Sequence, residues 1–557
     1  MQEPPETGAN TSTGKNSPQP RTYLLIFIVV LLAILNGSCY RYFSDGIQFA
    51  VELRYSTDWI LHPHHVLYPL LPQVFYRVFG FDRSGLGELG FLIGWSKAMY
   101  LFSSIAMLYI LRRCGFGLSG IVIGLILFMI SHGVWYFGLT ANQNSTPLLF
   151  HLLTLIAIQH VYLQKKPLNL LNILLVTLLI AVSTLASQVN AVLLLPFIYV
   201  LFVKSESGKG RTRNILLFIL FAILILILLL IAIGSGLGGF SSFTDYVNWQ
   251  YSYVFQNRWW SGSFQDGLLR NLKGLFTVHV AEIFSTWGLF GDWTGEFGAP
   301  AWWYRLVLRL GQAFAAIALL NEFIRTCIDF IRRHVRKPVQ TIGLLAALPI
   351  LIFSIFYIPE NLNLRVLYIP GFILFILPSI EQRYRFDNRP GLLSMTGWPV
   401  KFGLIALLLV NLLTFYWPCS TPACNPRLDE MVVMAEHVER NDFVIYPWTD
   451  EGHTDALYVQ YFLDTEALTI NKLIDIEREY GGAATREILT TSEGERTIWL
   501  HEDVINTELM GGQYGSTVSS DEVAQFINRF LSPQNAGFSS SDVDYTAYSI
   551  IDLTADN

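Results

Sequence analysis

Charge is scarce in this 557-residue chain: Asp, Glu, Lys and Arg make up 14%, against roughly 25% in ordinary soluble domains. So few charges cannot cover the surface of a soluble fold this large, which excludes a soluble enzyme. Cysteine is scarce as well, at five residues, which excludes a disulfide scaffold. A hydrophobic fraction of 52% excludes a disordered chain, and no glycine period marks a collagen. The short motifs of soluble chemistry are missing: no P-loop, no GxGxxG between strand and helix, no HExxH, no CxxC pair and no GxSxG. Cofactor chemistry has no sequence support, and no motif calls for a divalent metal.

What is present is apolar length. A bilayer core needs about 20 apolar residues in helix. Runs of that kind begin near Tyr23, Phe91, Ile121, Pro147, Leu168, Ala191, Ile215, Leu306, Ile342, Leu364 and Phe402. They predict an all-α polytopic membrane protein with about eleven transmembrane helices. Leu67–Phe79, broken by Pro69 and Pro72, reads as interfacial rather than spanning. The first run is not a cleaved signal, because some twenty polar residues precede it. Arg112-Arg113, Lys165-Lys166, Lys204 to Arg213, Arg332 to Lys337 and Arg383 to Arg389 fall in alternate loops. All lie on one side if the N-terminus is cytoplasmic, as the positive-inside rule requires.

This layout divides the chain into a disordered cytoplasmic tail (1–21), a transmembrane body (22–417) with outer loops 41–88 and 234–303, and an extracytoplasmic C-terminal domain (418–557). From Pro418 onward 7 Lys and Arg face 25 Asp and Glu, so an acidic tail follows a basic, apolar body. That gives no support to nucleic-acid binding. Phe443–Tyr446 and Thr497–Leu500 read as short buried strands, and Met431–Arg440 and Asp521–Leu531 as amphipathic helices, which makes this domain a small α/β unit. Cys419 and Cys424 lie just beyond the last run, and are either bridged or separate thiols.

The chemistry concentrates in the first outer loop, where Asp45 follows the first run directly. A carboxylate at that depth is costly unless it is paired, hydrated or used. A helix N-cap in Ser44-Asp45-Gly46 is the plain alternative. An amphipathic stretch (Ile47, Ala50, Val51, with Glu52 and Arg54 opposite) leads to Asp58 and the cluster His62-Pro63-His64-His65. The histidines read as interfacial polar groups or, with Asp58, as metal ligands.

At these residues the chain resembles the GT-C superfamily of polytopic glycosyltransferases, in its protein O-mannosyltransferase and aminoarabinose-transferase-like branch. The resemblance rests on Asp45, His62-Pro63, Leu67-Tyr68, Phe79-Gly80 and Arg112-Arg113, within about the first 115 residues. It departs at Gly46, where the family usually has Glu, and at His64-His65, where a second Pro is expected. Pro359-Glu360-Asn361 to Arg365 and Tyr368-Ile369-Pro370 are similar to an element at the outer start of a late family span. The resemblance implies transfer of a sugar, with inversion, from a polyprenyl-phosphate donor to an acceptor the sequence does not identify, at the outer face of the inner or plasma membrane. Asp45 is then the candidate base. Arg365 is the cation for the phosphate, its alternative being an interfacial snorkelling residue. Asp58, His62, His64, His65 and Glu360 are further candidate substrate-binding residues.

Outer loop 234–303 is rich in aromatics, among them Trp249, Tyr251, Trp259, Trp260, Trp287 and Trp293, which serve either as interface anchors or as a sugar-stacking wall. Asn142-Gln143-Asn144 is another polar outer cluster. Two other functions fit a polytopic body: a transporter or flippase of a lipid-linked or amphipathic substrate, or a non-catalytic membrane subunit. No paired internal repeat of the transporter kind is visible.

Overall fold

The structure, a computed structural model, describes residues 37, 39–40, 42, 44–62, 65–80, 87–165, 168–205, 208–238, 240, 242–251, 263–281, 302–332, 338–357, 362–383, 398–422, 425–447, 450–490, 496–505, 518–540 and 543–550. The expected tail 1–21 and the run at Tyr23 lie outside the described residues.

The other ten apolar runs all fold as helix. Two short helices come first, α1 (Ser44–Tyr55) and α2 (Leu67–Val78). The bundle then runs α3 (Gly87–Arg113), α4 (Leu118–Ile130), α5 (His132–Leu139), α6 (Ser145–Leu163), α7 (Leu170–Ala186), α8 (Leu194–Lys204, entered by a 3₁₀ turn at Gln188–Leu193) and α9 (Gly208–Gly236). After α10 (Phe243–Tyr251) and α11 (Phe264–Thr277) it resumes with α12 (Trp302–Arg332), α13 (Pro338–Phe356), α14 (Ile369–Arg383) and α15 (Trp398–Asn411).

Among the described residues the expected count of eleven spans is met only in part. Five helices are long and apolar enough to cross a membrane, and α4 with α5, bent by 58°, makes a sixth if taken as one broken span. The runs at Leu168, Ala191 and Phe402 form shorter apolar helices of 10–17 residues. Helix α12 has 31 residues but carries Arg305, Arg309, Glu322, Arg325 and Asp329 along its length.

The bundle has two chemically distinct ends. At one, Arg113 meets His160 at 3.4 Å, Lys204 donates to the Gln164 carbonyl, and Arg383 bridges Glu322 and Asp329 at 2.6 Å each. The ends of α3, α6 and α8, with their basic residues, are therefore neighbours, and α14 reaches the same end through Glu381, which accepts from Gly117 N–H just beyond α3. At the other end lie α1, the turn between α5 and α6, and the segment leading into α14.

Between the ends, the chain breaks at Ser131, and the backbone groups freed there are re-satisfied. His132 N–H donates to the His279 carbonyl (3.1 Å) and Gly133 N–H to the Val278 carbonyl (2.8 Å). Asn411 Nδ2 donates to the carbonyls of Ile130 and His279 (2.7 Å each), and its Oδ1 accepts from Ala281 N–H (2.8 Å). A broken helix in an apolar interior is tolerated only with such partners.

The C-terminal unit is a five-stranded mixed sheet of order β2-β1-β3-β5-β4. Its elements are α16 (Pro426–Met434), β1 (Phe443–Tyr446), α17 (Asp450–Tyr458), β2 (Glu466–Thr469), α18 (Ile470–Tyr480), α19 (Gly482–Leu489), β3 (Ile498–His501), α20 (Ser520–Phe530), β4 (Leu531–Ser540) and β5 (Val543–Ile550). The helix expected over Met431–Arg440 lies a turn earlier, beginning where Pro426 presets the first-turn backbone. Side chains alternate across β1: Phe443 and Ile445 share a core with α18 and α20, while Val444 and Tyr446 share one with Met434 of α16 and Ala456 and Tyr458 of α17, which continues into Ile47, Ala50 and Tyr68 of the first outer loop. The sheet thus has helices of its own unit on both faces, and the first outer loop packs against α17. Arg54 clamps the joint, paired with Glu88 (2.9 Å), donating to the Tyr461 carbonyl (2.6 Å) and lying over the Tyr461 ring.

Candidate functional site

Helix α1 places Asp45. The residue sits in the first helical turn rather than at the cap, where a carboxylate complements the helix dipole. Asp45 is half-buried, and its Oδ2 accepts a hydrogen bond from Gln143 Nε2 at 2.7 Å. Gly46 accounts for the closeness of these elements: a Cβ there would lie 2.1 Å from the Ala141 carbonyl oxygen. A glutamate side chain, as in the family the first loop resembles, has no room at this position.

The turn that carries Gln143 is rigid. Asn142 is fully buried, donates to the carbonyls of Phe137 (2.6 Å) and Thr140 (2.7 Å), and accepts from the N–H of Asn144 (2.7 Å) and Ser145 (3.2 Å). Such Asx turns hold a backbone without help from a helix or sheet. Trp95 of α3 braces the turn through Thr146 Oγ1 at 2.9 Å. One residue beyond Gln143, Asn144 Nδ2 donates to Asn363 Oδ1 (3.1 Å), two positions before Arg365.

Arg365 ends the short helix Leu362–Arg365 and is fully buried, which overturns its reading as a snorkelling surface residue. Its guanidinium lies on α11, donating to Asn271 Oδ1 at 2.5 Å. Gly274 makes this approach feasible, since a Cβ there would sit 2.4 Å from Arg365 Nε. Asn271 is itself anchored to the Leu351 carbonyl (2.7 Å). Helix α11 therefore covers the cation, while Phe264, Leu269 and Leu272 on the same helix remain exposed.

Tyr68 joins the first loop to Asp45. It is buried against Phe49, and burial together with the nearby Asp45 and Glu52 carboxylates pushes its hydroxyl well above the ordinary tyrosine range. Burial also raises the carboxyl of Glu52, against the opposing pull of Gln48 and Lys472. One turn before Tyr68, His65 Nδ1 lies 3.2 Å from the Ala186 carbonyl, and the His62 and His65 rings are 5.7 Å apart.

Asp58 is not brought to Asp45. Helix α1, about 18 Å long by its rise per residue, separates them, and the Asp58 side chain is exposed while its carbonyl accepts from Gln73 (2.7 Å). His64 and Glu360 lie outside the described residues, as do Cys424, Trp259, Trp260, Trp287 and Trp293. Trp249 packs against Phe240 and Tyr246 rather than standing free. Sequence reasoning ranked neither Gln143 nor Asn271; the signal for the first was the Asn142-Gln143-Asn144 cluster, and the second carried none.

No protein-family model and no curated protein sequence matches the chain. Solved structures do match in fold. ArnT from Cupriavidus metallidurans bound to undecaprenyl phosphate aligns with 95% of this chain and 98% of its own, at a TM-score of 0.55 and 11% identity. The apo form of the same protein aligns with 95% and 97%, at 0.53 and 10%. AglB from Archaeoglobus fulgidus, in complex with an inhibitory peptide and a dolichol-phosphate, covers 96% of this chain and 75% of its own at a lower TM-score of 0.46 and 10% identity. The chain shares the fold of ArnT.

Proposed function

We propose that the chain is an integral-membrane glycosyltransferase that moves a sugar from a polyprenyl-phosphate donor to an acceptor at the outer face, with inversion. The observation that carries this is the placement of Asp45, held by Gln143 at the end of the bundle where Arg365 also lies, in a chain with the fold of ArnT. That ArnT was solved with undecaprenyl phosphate bound supports a lipid-phosphate donor. The basic residues gathered at the opposite end support a cytoplasmic N-terminus and an outer C-terminal domain, in a cell membrane crossed about eleven times.

In this reading the acceptor hydroxyl oxygen attacks the anomeric carbon while its proton passes to the Asp45 carboxylate. The bond from that carbon to the phosphate oxygen breaks, and its electron pair leaves with the polyprenyl phosphate. A phosphate is a competent leaving group at neutral pH, so the chemical demand falls on the base and on a cation. Positioned general-base catalysis contributes about 10²–10⁴-fold, and holding both substrates at one membrane wall contributes more. Arg365 supplies the cation, and α11 must move off it for a donor phosphate to make contact. Asn271 and Gly274 are the contacts that would break.

The purified protein, incubated with a pool of polyprenyl-phosphate sugars, is expected to consume one of them and release polyprenyl phosphate. Absence of turnover with every donor, together with movement of a lipid-linked substrate across vesicles, would replace this reading with transport.

A further inference from the structure

Resting on that reading, we propose that Gln143 is the positioning residue of the reaction: its side-chain amide holds one oxygen of the Asp45 carboxylate and keeps the group ionised and aimed. Four observations support it. The Nε2 to Oδ2 distance of 2.7 Å is that of a well-formed hydrogen bond. From Phe137 to Leu148 every residue is buried except Gln143, which is half-exposed, so this turn presents one side chain outward and that side chain meets Asp45. The turn is fixed by the four hydrogen bonds of the Asn142 side chain, so the amide arrives from a rigid support. Finally, Gly46 lets α1 approach to backbone contact with Ala141, two residues before Gln143, which sets the height of Asp45 against the amide.

The chemistry follows from the donor. An amide N–H can only donate to a carboxylate oxygen, so it stabilises the ionised form and lowers the pH at which Asp45 becomes competent as a base. Among the described residues, the titratable groups on and around α1 include Tyr68 of α2, which feels Asp45; Glu52 and Arg54 on α1 itself; Glu88, paired with Arg54, and Lys97 of α3; His453, Asp455 and Tyr458 of α17; and Lys472 of α18, which acts on Glu52.

The test is the pH dependence of single-turnover transfer by the full-length protein, measured with donor binding in parallel. Gln143→Ala is expected to lower the rate at neutral pH about tenfold or more, to move the acid limb upward by roughly half a unit to one unit, and to leave donor binding unchanged. Gln143→Glu keeps the size of the side chain and sets a second carboxyl beside Asp45, so the limb should move further up, by about one unit or more. If Gln143→Ala fails to fold, Gln143→Glu alone decides. A wild-type rate and limb in either folded variant overturns the proposal. So does an equal loss at every pH, which a merely structural role would give. An active Asp45→Asn protein would instead overturn the reading on which the proposal rests.

Discussion

Gly46 touches the carbonyl oxygen of Ala141 so closely that a Cβ at this position would lie 2.1 Å from it. The contact seats the first turn of α1 on the turn between α5 and α6, and through it the Asp45 carboxylate on Gln143.

Gly46→Ala should therefore push α1 away from that turn. Overpacking of this kind costs about 1–3 kcal/mol, visible as a lower melting temperature in detergent, and transfer should fall because Asp45 moves with the helix. Gly46→Glu, which restores the family's acid pair in sequence, should be at least as damaging. An active, wild-type-stable Gly46→Glu protein would show that the backbone contact is not needed.

The second close approach concerns Arg365. Gly274→Ala should displace the guanidinium from α11, because the added methyl would lie 2.4 Å from Nε. Asn271→Ala removes the acceptor of a buried charged donor, a loss of about 1–3 kcal/mol. Both should lower thermal stability, whereas Arg365→Ala should also lower affinity for a polyprenyl phosphate. Unchanged lipid binding in a folded Arg365→Ala protein would leave the arginine with a structural role alone.

Arg54 holds the C-terminal unit to the first outer loop. Arg54→Ala removes the pair with Glu88 and the hydrogen bond to the Tyr461 carbonyl, charge-assisted contacts worth about 1.5–3 kcal/mol each when buried and less here, where Arg54 is partly exposed. Hydrogen exchange should then rise at Tyr461 and in β2 while α18 and α20 stay protected. Uniform protection in the variant would mean that the apolar packing between α1 and α17 suffices to hold the joint.

The start of α20 carries a pH-dependent contribution. Backbone and side-chain donors of Ser519, with Arg478, hold the Glu522 carboxyl down to about 2 from the ordinary 4.5. A group depressed in the folded state stabilises above its unfolded value and loses that contribution as pH falls. Stability of the C-terminal unit should thus decline between pH 4.5 and about 2. Glu522→Gln should flatten that part of the curve in thermal melts, and an unchanged acid slope would remove Glu522 as its source.

How much of this was legible in the sequence differs by element. The ten described apolar runs show as helix because twenty or so apolar residues leave the backbone no other way to satisfy itself in a membrane. Whether a run is a full span is less legible, since Ser131 breaks one and charges interrupt α12, and the compensating partners (His279, Asn411) lie far along the chain. Phe443–Tyr446 shows as a strand buried on both faces, but the sequence does not say that the core on one of them runs on into the first outer loop. Asp45 stands out by its position at the end of a run. Its partner Gln143 shows only as a member of the polar Asn142-Gln143-Asn144 cluster, because nothing local ties an amide to a carboxylate 98 residues away. The burial of Arg365 under α11 is invisible for the same reason.

Transfer by the Asp45→Asn protein is the most direct measurement. Asn keeps the size of the side chain and its compatibility with the helix start, yet it cannot accept the acceptor's proton. Donor binding and thermal stability should stay near wild type while sugar transfer from polyprenyl phosphate falls by at least about 10²–10⁴-fold. Wild-type turnover in the Asp45→Asn protein would contradict the assignment of Asp45 as the base and leave the fold without the chemistry proposed for it.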